Sequence, residues 1–337
     1  MTTGAPLDRR SRTPLERARD LLRTNPTISP LLVLLVAGAV AGGFNPRFAA
    51  PGNLSLVFQQ VAMIAALGVG QTLIVLTAGI DLSVGAMMIL VAVVMGQLVA
   101  GFEIPGIAAL LVGLLLAALC GFANGWLVVR LRLPPFIATL GTLNVFTALA
   151  LLISQGASIN ADQLGDVLNW TATSFSAGPF RLTTGVLVML AMYAVIGFVL
   201  HQTAWGRHVY AVGDDSSAAM LAGIDVRPML MSVYVVAGVL VGLSSWVLIG
   251  RVGAATVNSA IDANLDSITA VVIGGTSLFG GRGRLIGTLL GALIVGVFRN
   301  GLSIARVDVL YQTLAIGLLV IVAVALDQWI RRTDKKR

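Results

Sequence analysis

The chain has 337 residues, of which 57% are apolar and only 11% are charged, and its formal net charge is +7. A mean hydropathy of +0.93 is far above that of a soluble domain, which excludes a soluble enzyme or a nucleic-acid-binding domain as the main body of the chain. The single cysteine, Cys120, lies in an apolar run and excludes an intrachain disulfide and a multi-cysteine metal site. The composition predicts a polytopic membrane protein in contact with lipid.

The first 29 residues carry six arginines and no apolar run, so we expect residues 1–29 to be a retained basic tail. A transmembrane domain is predicted over 30–329, followed by a second basic tail at 330–337. Helices are the expected spans, because the apolar runs lack the alternation of barrel strands. The predicted fold is therefore an all-α polytopic membrane protein with about ten transmembrane helices, some of them broken at Gly-rich joints, near 30–44, 54–79, 82–101, 105–129, 135–155, 183–201, 229–250, 266–280, 285–301 and 309–329.

The basic residues orient these segments. With both termini placed in the cytoplasm, most of the 22 Lys and Arg residues fall in the tails and inner loops, as the positive-inside rule requires. The outer loops then hold only Arg47, Arg181, Arg251, Arg299 and Arg306. Both ends are expected on the cytoplasmic side of the membrane.

The stretch LTAGIDLSVG places one carboxylate, that of Asp81, between two apolar runs. Gly79 to Gly85 and Gly275 to Gly281 share the pattern G-x-x-L-x-x-G, and each copy ends an apolar segment predicted to run inward. Paired Gly-interrupted segments are typical of broken helices beside a transport path, which makes Asp81, Thr276 and Ser277 candidates for a path or gate. Alternatively, Asp81 caps the next helix by accepting from the N–H of Ser83 or Val84, and the two roles are compatible.

A membrane path for a polar but uncharged solute favours neutral amides and hydroxyls, because their hydrogen bonds are replaceable and weak. Such side chains lie in or beside the spans, and Phe136 could form an apolar wall next to them. Each polar group could equally hold helices together within the membrane. The candidates are Gln60, Gln71, Asn124, Thr139, Thr142 and Asn144.

The longest inner loop, 202–228, contains HVYAVGDDSSAAMLAGIDVRP. A short helix is predicted over Ser217–Ala222, with Asp215 or Ser216 as its cap and Gly223 as its stop. Small residues on such a helix allow another protein to approach closely. The loop is therefore a candidate docking segment, with contact residues Asp214, Ser217, Ala218, Ala219 and Gly223.

The spacing Ala218-Ala219-x-x-x-Gly223 resembles the motif with which permeases of ATP-binding-cassette (ABC) importers engage their ATPases, although Ser217 stands where a glutamate is usual. Together with TAGIDLSVG, GFANGWLVVRLRLPPFIATLGT and LDSITAVVIGGTSLFGGRG, the chain resembles the permease subunits of ribose-type monosaccharide importers. A second departure is Asn264-Leu265-Asp266, where Glu-Leu-Asp is common.

That resemblance implies an inner-membrane permease, acting as a homodimer with cytoplasmic ATPases and a periplasmic sugar-binding protein. The chain has no G-x-x-x-x-G-K-[ST] loop, so ATP would be used by the partner subunits and no cofactor is expected on this chain. His201 and His208 lack carboxylates at metal-binding spacing, and no catalytic constellation is evident. The alternative function is an ion-coupled secondary carrier that uses Asp81.

Overall fold

The computed structural model describes residues 27–259, 262–318 and 321. Most of the predicted basic tail 1–29, all of the tail 330–337 and the end of the tenth apolar segment lie outside the described residues. The described chain is mostly helical, as the hydropathy pattern predicts.

The described residues include ten apolar helices, and each overlaps one of the ten predicted segments. Six of them are long and apolar enough to cross a membrane, namely α2 (Pro51–Leu76), α4 (Gly106–Val129), α5 (Pro135–Ser154), α7 (Thr184–Gln202), α10 (Val226–Val252) and α12 (Leu285–Ile304). Four are shorter, namely α1 (Ile28–Phe44), α3 (Val84–Ala100), α11 (Ala263–Ile273) and α13 (Val309–Leu318). Three polar helices complete the set: α6 (Ala161–Asn169), α8 (Ala204–Asp214) and α9 (Ser216–Leu221).

The connections predicted on the outer side pack together at one end of the bundle. Strand β1 (Ile159–Asn160) pairs antiparallel with β4 (Ala254–Ala255), which joins the segment after α5 to the segment after α10. A hairpin of β2 (Ser174–Ala177) and β3 (Phe180–Thr183) precedes α7. Short 3-10 helices at Pro46–Ala49 and Trp170–Ala172 also lie in connections predicted on the outer side.

Helices α4 and α10 pack backbone to backbone through glycines. A Cβ added at Gly121 would lie 2.3 Å from the carbonyl oxygen of Tyr234, and one at Gly238 would lie 2.4 Å from that of Ala117. Close approach through small residues is the usual way in which helices associate in lipid, where burial of apolar side chains gives little driving force. The glycines thus fix α10 against α4. Helix α10 also packs against α2 and α3.

Helix α11 is shorter than the apolar segment predicted over 266–280. It begins at Ala263 and ends at Ile273, and Gly275 then adopts a left-handed φ of +84°. Two further left-handed glycines, Gly280 and Gly281, keep the chain out of a helix until α12 begins. Residues 274–284 therefore form a non-helical joint, called here the second joint; the first joint is residues 77–83, between α2 and α3.

Candidate functional site

The carboxylate of Asp81 lies buried in the first joint, with the residue only 1% exposed. Its Oδ1 accepts from the backbone N–H of Ser83 at 2.7 Å and from the Ser83 hydroxyl at 2.6 Å, and its Oδ2 accepts from Nδ2 of Asn124 at 3.1 Å. The predicted bond to the Ser83 N–H is present. Because α3 begins only at Val84, Asp81 closes a turn before the helix and is not its N-cap residue.

Asn124 and Thr139 attach the first joint to the two neighbouring helices. Asn124, on α4, also donates to the Ser83 hydroxyl at 2.8 Å, and it is fully buried. The Thr139 hydroxyl, on α5, accepts from the N–H of Leu82 at 3.1 Å. The structure thus brings three of the predicted site residues into one polar cluster, in which they brace the joint.

The remaining polar candidates are dispersed. Thr142 is buried and its hydroxyl lies 3.3 Å from the carbonyl of Thr139, so it turns back onto its own helix. Phe136 is 47% exposed, and Asn144 is exposed and donates to the carbonyl of Leu140 at 3.1 Å. Gln71 is completely buried on α2, and neither atom of its amide has a partner within the described chain.

Thr276 and Ser277 lie in the second joint and are buried, at 3% and 1% exposure. The N–H of Ser277 donates to the carbonyl of Arg282 at 2.8 Å, and the Ser277 hydroxyl accepts from the N–H of Phe279 at 3.2 Å. These bonds fold the joint into a compact loop. The two copies of G-x-x-L-x-x-G therefore both lie at breaks between helices, although their internal hydrogen bonds differ.

The segment 202–228 contains the short helix that the sequence predicts. Helix α9 begins at Ser216, and Asp215 caps it by accepting from the N–H groups of Ser217 at 2.8 Å and Ala218 at 3.0 Å. Gly223 ends the turn with a φ of +86°. Asp214, Ser217, Ala218 and Gly223 are exposed, whereas Ala219 is buried against the bundle.

Helix α9 also exposes large apolar side chains, which the search for small residues missed. Leu221 is 92% exposed and Met220 is 64% exposed. Helix α9 therefore carries two large apolar side chains on its exposed side. Met220 and Leu221 stand between Ala218 and Gly223 in the sequence, and this position beside predicted docking residues could have identified them.

Both joints meet the end of α8 in a close backbone junction. A Cβ on Gly213 would lie 1.7 Å from the carbonyl oxygen of Leu76, and one on Gly281 would lie 2.6 Å from Cα of Asp214. The N–H of Gly281 donates to the carbonyl of Leu76 at 2.9 Å, and the hydroxyl of Tyr210 donates to the carbonyl of Gly283 at 3.0 Å. Burial raises the pKa of Tyr210 above its ordinary value, so its hydroxyl remains a donor at neutral pH.

A cavity of about 540 Å³, lined by both polar and apolar side chains, lies away from this junction, among the ends of α2, α10, α11, α12 and α13. Asp266 and Arg299, both in its lining, form an ion pair at 3.0 Å, with side chains 5% and 37% exposed. We call it the Asp266 cavity. Its lining includes Gln60, Arg251, Asp266, Arg299, Asn300, Ser303 and Gln312.

Of these lining residues, only Gln60 was a predicted site residue. The others were assigned to outer loops or to apolar segments, and the available signal was two charges, on Asp266 and Arg299, inside or at the edge of apolar runs. No group of three or more His, Cys, Asp or Glu side chains that could hold a metal ion occurs in the part of the chain that the structure describes.

Comparison with known proteins agrees with this architecture. A family model described as the permease component of branched-chain amino acid transport systems matches residues 53–324. The fructose import permease of Rhizobium meliloti is 45% identical, over 98% of this chain and 93% of its own length. The ribose import permease of Bacillus subtilis is 37% identical, over 89% of this chain and 92% of its own, and the D-allose transport permease of Escherichia coli K12 is 35% identical, over 89% and 91%.

Among solved structures, one described as a metal-chelate type ABC transporter in an inward-facing conformation matches with a TM-score of 0.52, covering 89% of this chain and 99% of that one at 15% identity. That likeness concerns the fold. The bundle, its broken helices and the matching permeases define a multi-pass inner-membrane permease subunit of an ABC importer. The chain belongs to the branched-chain amino acid transport system permease family, within its ribose-type group of monosaccharide permeases.

Proposed function

We propose that this chain, as a pair of copies, forms the membrane path for a monosaccharide that a periplasmic binding protein delivers and that separate cytoplasmic ATPases drive inward. The named relatives import fructose, ribose and allose, which supports a monosaccharide as the substrate class. The single observation that carries the proposal is the junction where α8, which leads into α9, touches both joints.

Helix α9 is the proposed ATPase contact. Its outward side chains, Met220 and Leu221, can enter a groove of the ATPase, while Ala218 and Gly223 leave room for close approach. The buried Ala219 and the cap by Asp215 hold the helix in a fixed orientation against the bundle. A movement of the ATPase would then displace α9 as a rigid unit.

The junction would pass this displacement to the path. Gly213 leaves no space between α8 and the carbonyl of Leu76, so α8 cannot shift without moving the end of α2. Asp214 also packs against Gly281 of the second joint, where an added Cβ would lie 2.6 Å from the Cα of Asp214. Because packed backbones move together, a shift of α9 would alter both joints at once and so open or close the inner end of the path.

The exposed face of α5 supports a pair of copies around the path. Gly141 has open space at its Cβ position and Asn144 is exposed, although both lie in the middle of an apolar helix. An amide facing lipid tails is unfavourable, whereas a second copy or a water-filled path would satisfy it. Asn144 and Phe136, two of the predicted path residues, would then face the space between the two copies.

Reconstitution tests this function. The permease is purified with the ATPase and binding protein of its transport system and placed in proteoliposomes, and uptake of labelled D-fructose, D-ribose and D-allose is measured. We expect uptake of at least one sugar that requires ATP and all three proteins. Uptake by this chain alone, driven by a proton or sodium gradient, would overturn the proposal in favour of an ion-coupled carrier that uses Asp81.

A further inference from the structure

We propose that the Asp266 cavity is a binding site for a neutral monosaccharide, separate from the first joint, which contains Asp81, and from the second joint. The choice of ligand rests on the proposed function, whereas the existence of a polar site rests on the geometry of the cavity. The site would hold the sugar in the half of the membrane opposite the junction with α8.

The cavity reaches well into the bundle. Leu285 begins α12 next to the second joint, and Arg299 lies about 21 Å further along that helix at 1.5 Å per residue. Helix α11 begins beside the first turn of α3, because the side chain of Asn264 accepts a hydrogen bond from the N–H of Gly85. Helix α11 therefore starts inside the bundle, and Asp266, in its first turn, lines the cavity.

A helix that begins within the membrane is the setting in which transporters place substrate sites. The sequence predicts such breaks only at the Gly-rich joints. Here the break precedes α11, and the charged pair Asp266–Arg299 lies directly after it. A carboxylate buried among membrane helices is costly to maintain, and such groups, with their charged partners, are characteristic of functional sites.

The lining matches the chemistry of a sugar. Each hydroxyl of a monosaccharide both donates and accepts, so a site needs donors and acceptors side by side. The Asp266 carboxylate accepts, and the Arg299 guanidinium donates from 3.0 Å away. Gln60 and Arg251 form no hydrogen bond with the rest of the described chain, which leaves both available to a ligand.

The size also fits, because pockets for small molecules commonly enclose about 300–1,000 Å³. Ser303 and Gln312 add a hydroxyl and an amide on the side formed by the ends of α12 and α13. A cavity of about 540 Å³ with this lining can enclose a pentose or a hexose together with a few waters.

An anion or a lipid headgroup fits less well. The carboxylate of Asp266 would repel a phosphate and already neutralises the guanidinium of Arg299, so Arg251 alone would be left to attract an anion. A lipid phosphate that entered the cavity from the membrane surface would meet the same buried carboxylate. A neutral polyol avoids both difficulties.

Thiol labelling can test the site directly. Cys120 is the only cysteine of the chain, so a Cys120→Ala background carries single reporters: Ser303→Cys in the cavity, and Ser176→Cys on the exposed β2–β3 hairpin as the matched control. The complete complex is reconstituted, and the rate at which N-ethylmaleimide modifies this chain is followed by mass spectrometry. The rate is compared with and without millimolar D-fructose, D-ribose or D-allose, with glycine betaine as the osmotic control.

We expect at least one sugar to slow modification of Ser303→Cys severalfold and to leave Ser176→Cys unchanged. If no sugar slows it while the same preparation imports one of them with ATP, this inference is wrong and the proposed function stands. Protection without ATP-driven uptake would keep the site and remove the proposed function. Slower labelling in phosphatidylglycerol vesicles than in phosphatidylethanolamine vesicles, with no effect of sugar, would identify a lipid headgroup and overturn the inference.

Gln60→Ala provides a second variant that gives up no hydrogen bond within the described chain. In the Ser303→Cys background it should raise the sugar concentration needed for protection about fivefold, as expected for one neutral hydrogen bond. Gln59→Ala is the matched control, since Gln59 instead donates to the carbonyl of Arg181 outside the cavity. Equal protection in the two variants would place the sugar elsewhere.

Discussion

The backbone N–H of Gly281 donates to the carbonyl oxygen of Leu76 at 2.9 Å, which joins the end of α2 to the second joint. Gly213 packs against the same carbonyl, so one oxygen atom lies at the meeting point of three distant stretches of the chain. The segment that bears α9 is thus in direct backbone contact with both helix breaks. Small changes in this contact should affect transport more than folding of the bundle.

The first prediction concerns Gly213→Ala. The added methyl group would lie 1.7 Å from the Leu76 oxygen and 2.7 Å from the Gly281 nitrogen, so α8 must move away from the joints. We expect a destabilisation of about 1–3 kcal/mol, typical of overpacking, and a large loss of ATP-driven uptake. Uptake and thermal unfolding of the purified complex measure the two effects.

Gly197→Ala is the matched control for that variant, because nothing lies within 4 Å of its Cβ position on α7. It should behave like the natural protein in both measurements. Normal uptake by Gly213→Ala in a correctly inserted protein would show that the junction does not carry the coupling.

The second prediction separates the charge of Asp81 from its hydrogen bonds. Asparagine can still accept from the N–H and hydroxyl of Ser83, and Asn124 can rotate its amide to present an oxygen to the new NH₂ group, giving up only its own bond to the Ser83 hydroxyl. Asp81→Asn should therefore retain most ATP-driven uptake. Asp81→Leu leaves the Ser83 and Asn124 donors without their acceptor and should lower stability by about 1–3 kcal/mol for each buried group left unpaired.

Uptake and unfolding temperature are measured for both Asp81 variants. Loss of uptake in Asp81→Asn at unchanged stability would indicate a requirement for the charge, as an ion-coupled mechanism demands. Thr142→Ala serves as a control, because Thr142 bonds only to its own helix and its removal should leave both measurements nearly unchanged.

Local patterns in the sequence were sufficient for some features and not for others. Apolar runs and the cap of α9 by Asp215 depend on neighbouring residues, and the structure has an apolar helix overlapping each described segment and the predicted cap. Asp81 was correctly placed at a break, but the helix start at Val84 could not be located, because Ser83, Asn124 and Thr139 together decide where the turn ends.

Long-range contacts account for the features that were missed. The early start of α11 is tied to the bond between Asn264 and Gly85, and Asn264 stands at one of the two departures from the family pattern. The ion pair of Asp266 with Arg299 joins two helices whose register no sequence period reveals. The meeting of Gly213 with both joints is likewise a product of packing.

The third prediction concerns Leu221, the most exposed large apolar side chain on α9, at 92% exposure. Leu221→Ser removes an apolar contact with the proposed ATPase and breaks no contact in the bundle. We expect unchanged thermal stability of the isolated permease and weaker co-purification of the ATPase, by roughly tenfold or more if the side chain is buried in the complex.

Phe102→Ser is the control for that variant. Phe102 is 72% exposed in the turn between α3 and α4, at the end of the bundle opposite the junction. The Phe102→Ser variant should leave ATPase binding unchanged. Equal retention of the ATPase by the Leu221 and Phe102 variants would move the proposed contact away from α9.

The fourth prediction separates the backbone conformation of Gly223 from the surface that it exposes. Gly223 has a φ of +86° and nothing within 4 Å of its Cβ position, so a large side chain meets backbone strain but no clash within the chain. Asparagine tolerates a left-handed conformation better than most residues and adds little bulk, so Gly223→Asn should keep most of the coupling. Gly223→Trp should insert normally, yet it should hold the ATPase away from Ala218 and uncouple ATP hydrolysis from uptake. The ratio of sugar imported to ATP hydrolysed is the measurement.

If the tryptophan variant matches the asparagine variant in that ratio, the surface around Gly223 does not face the ATPase, and α9 would have to act through another side.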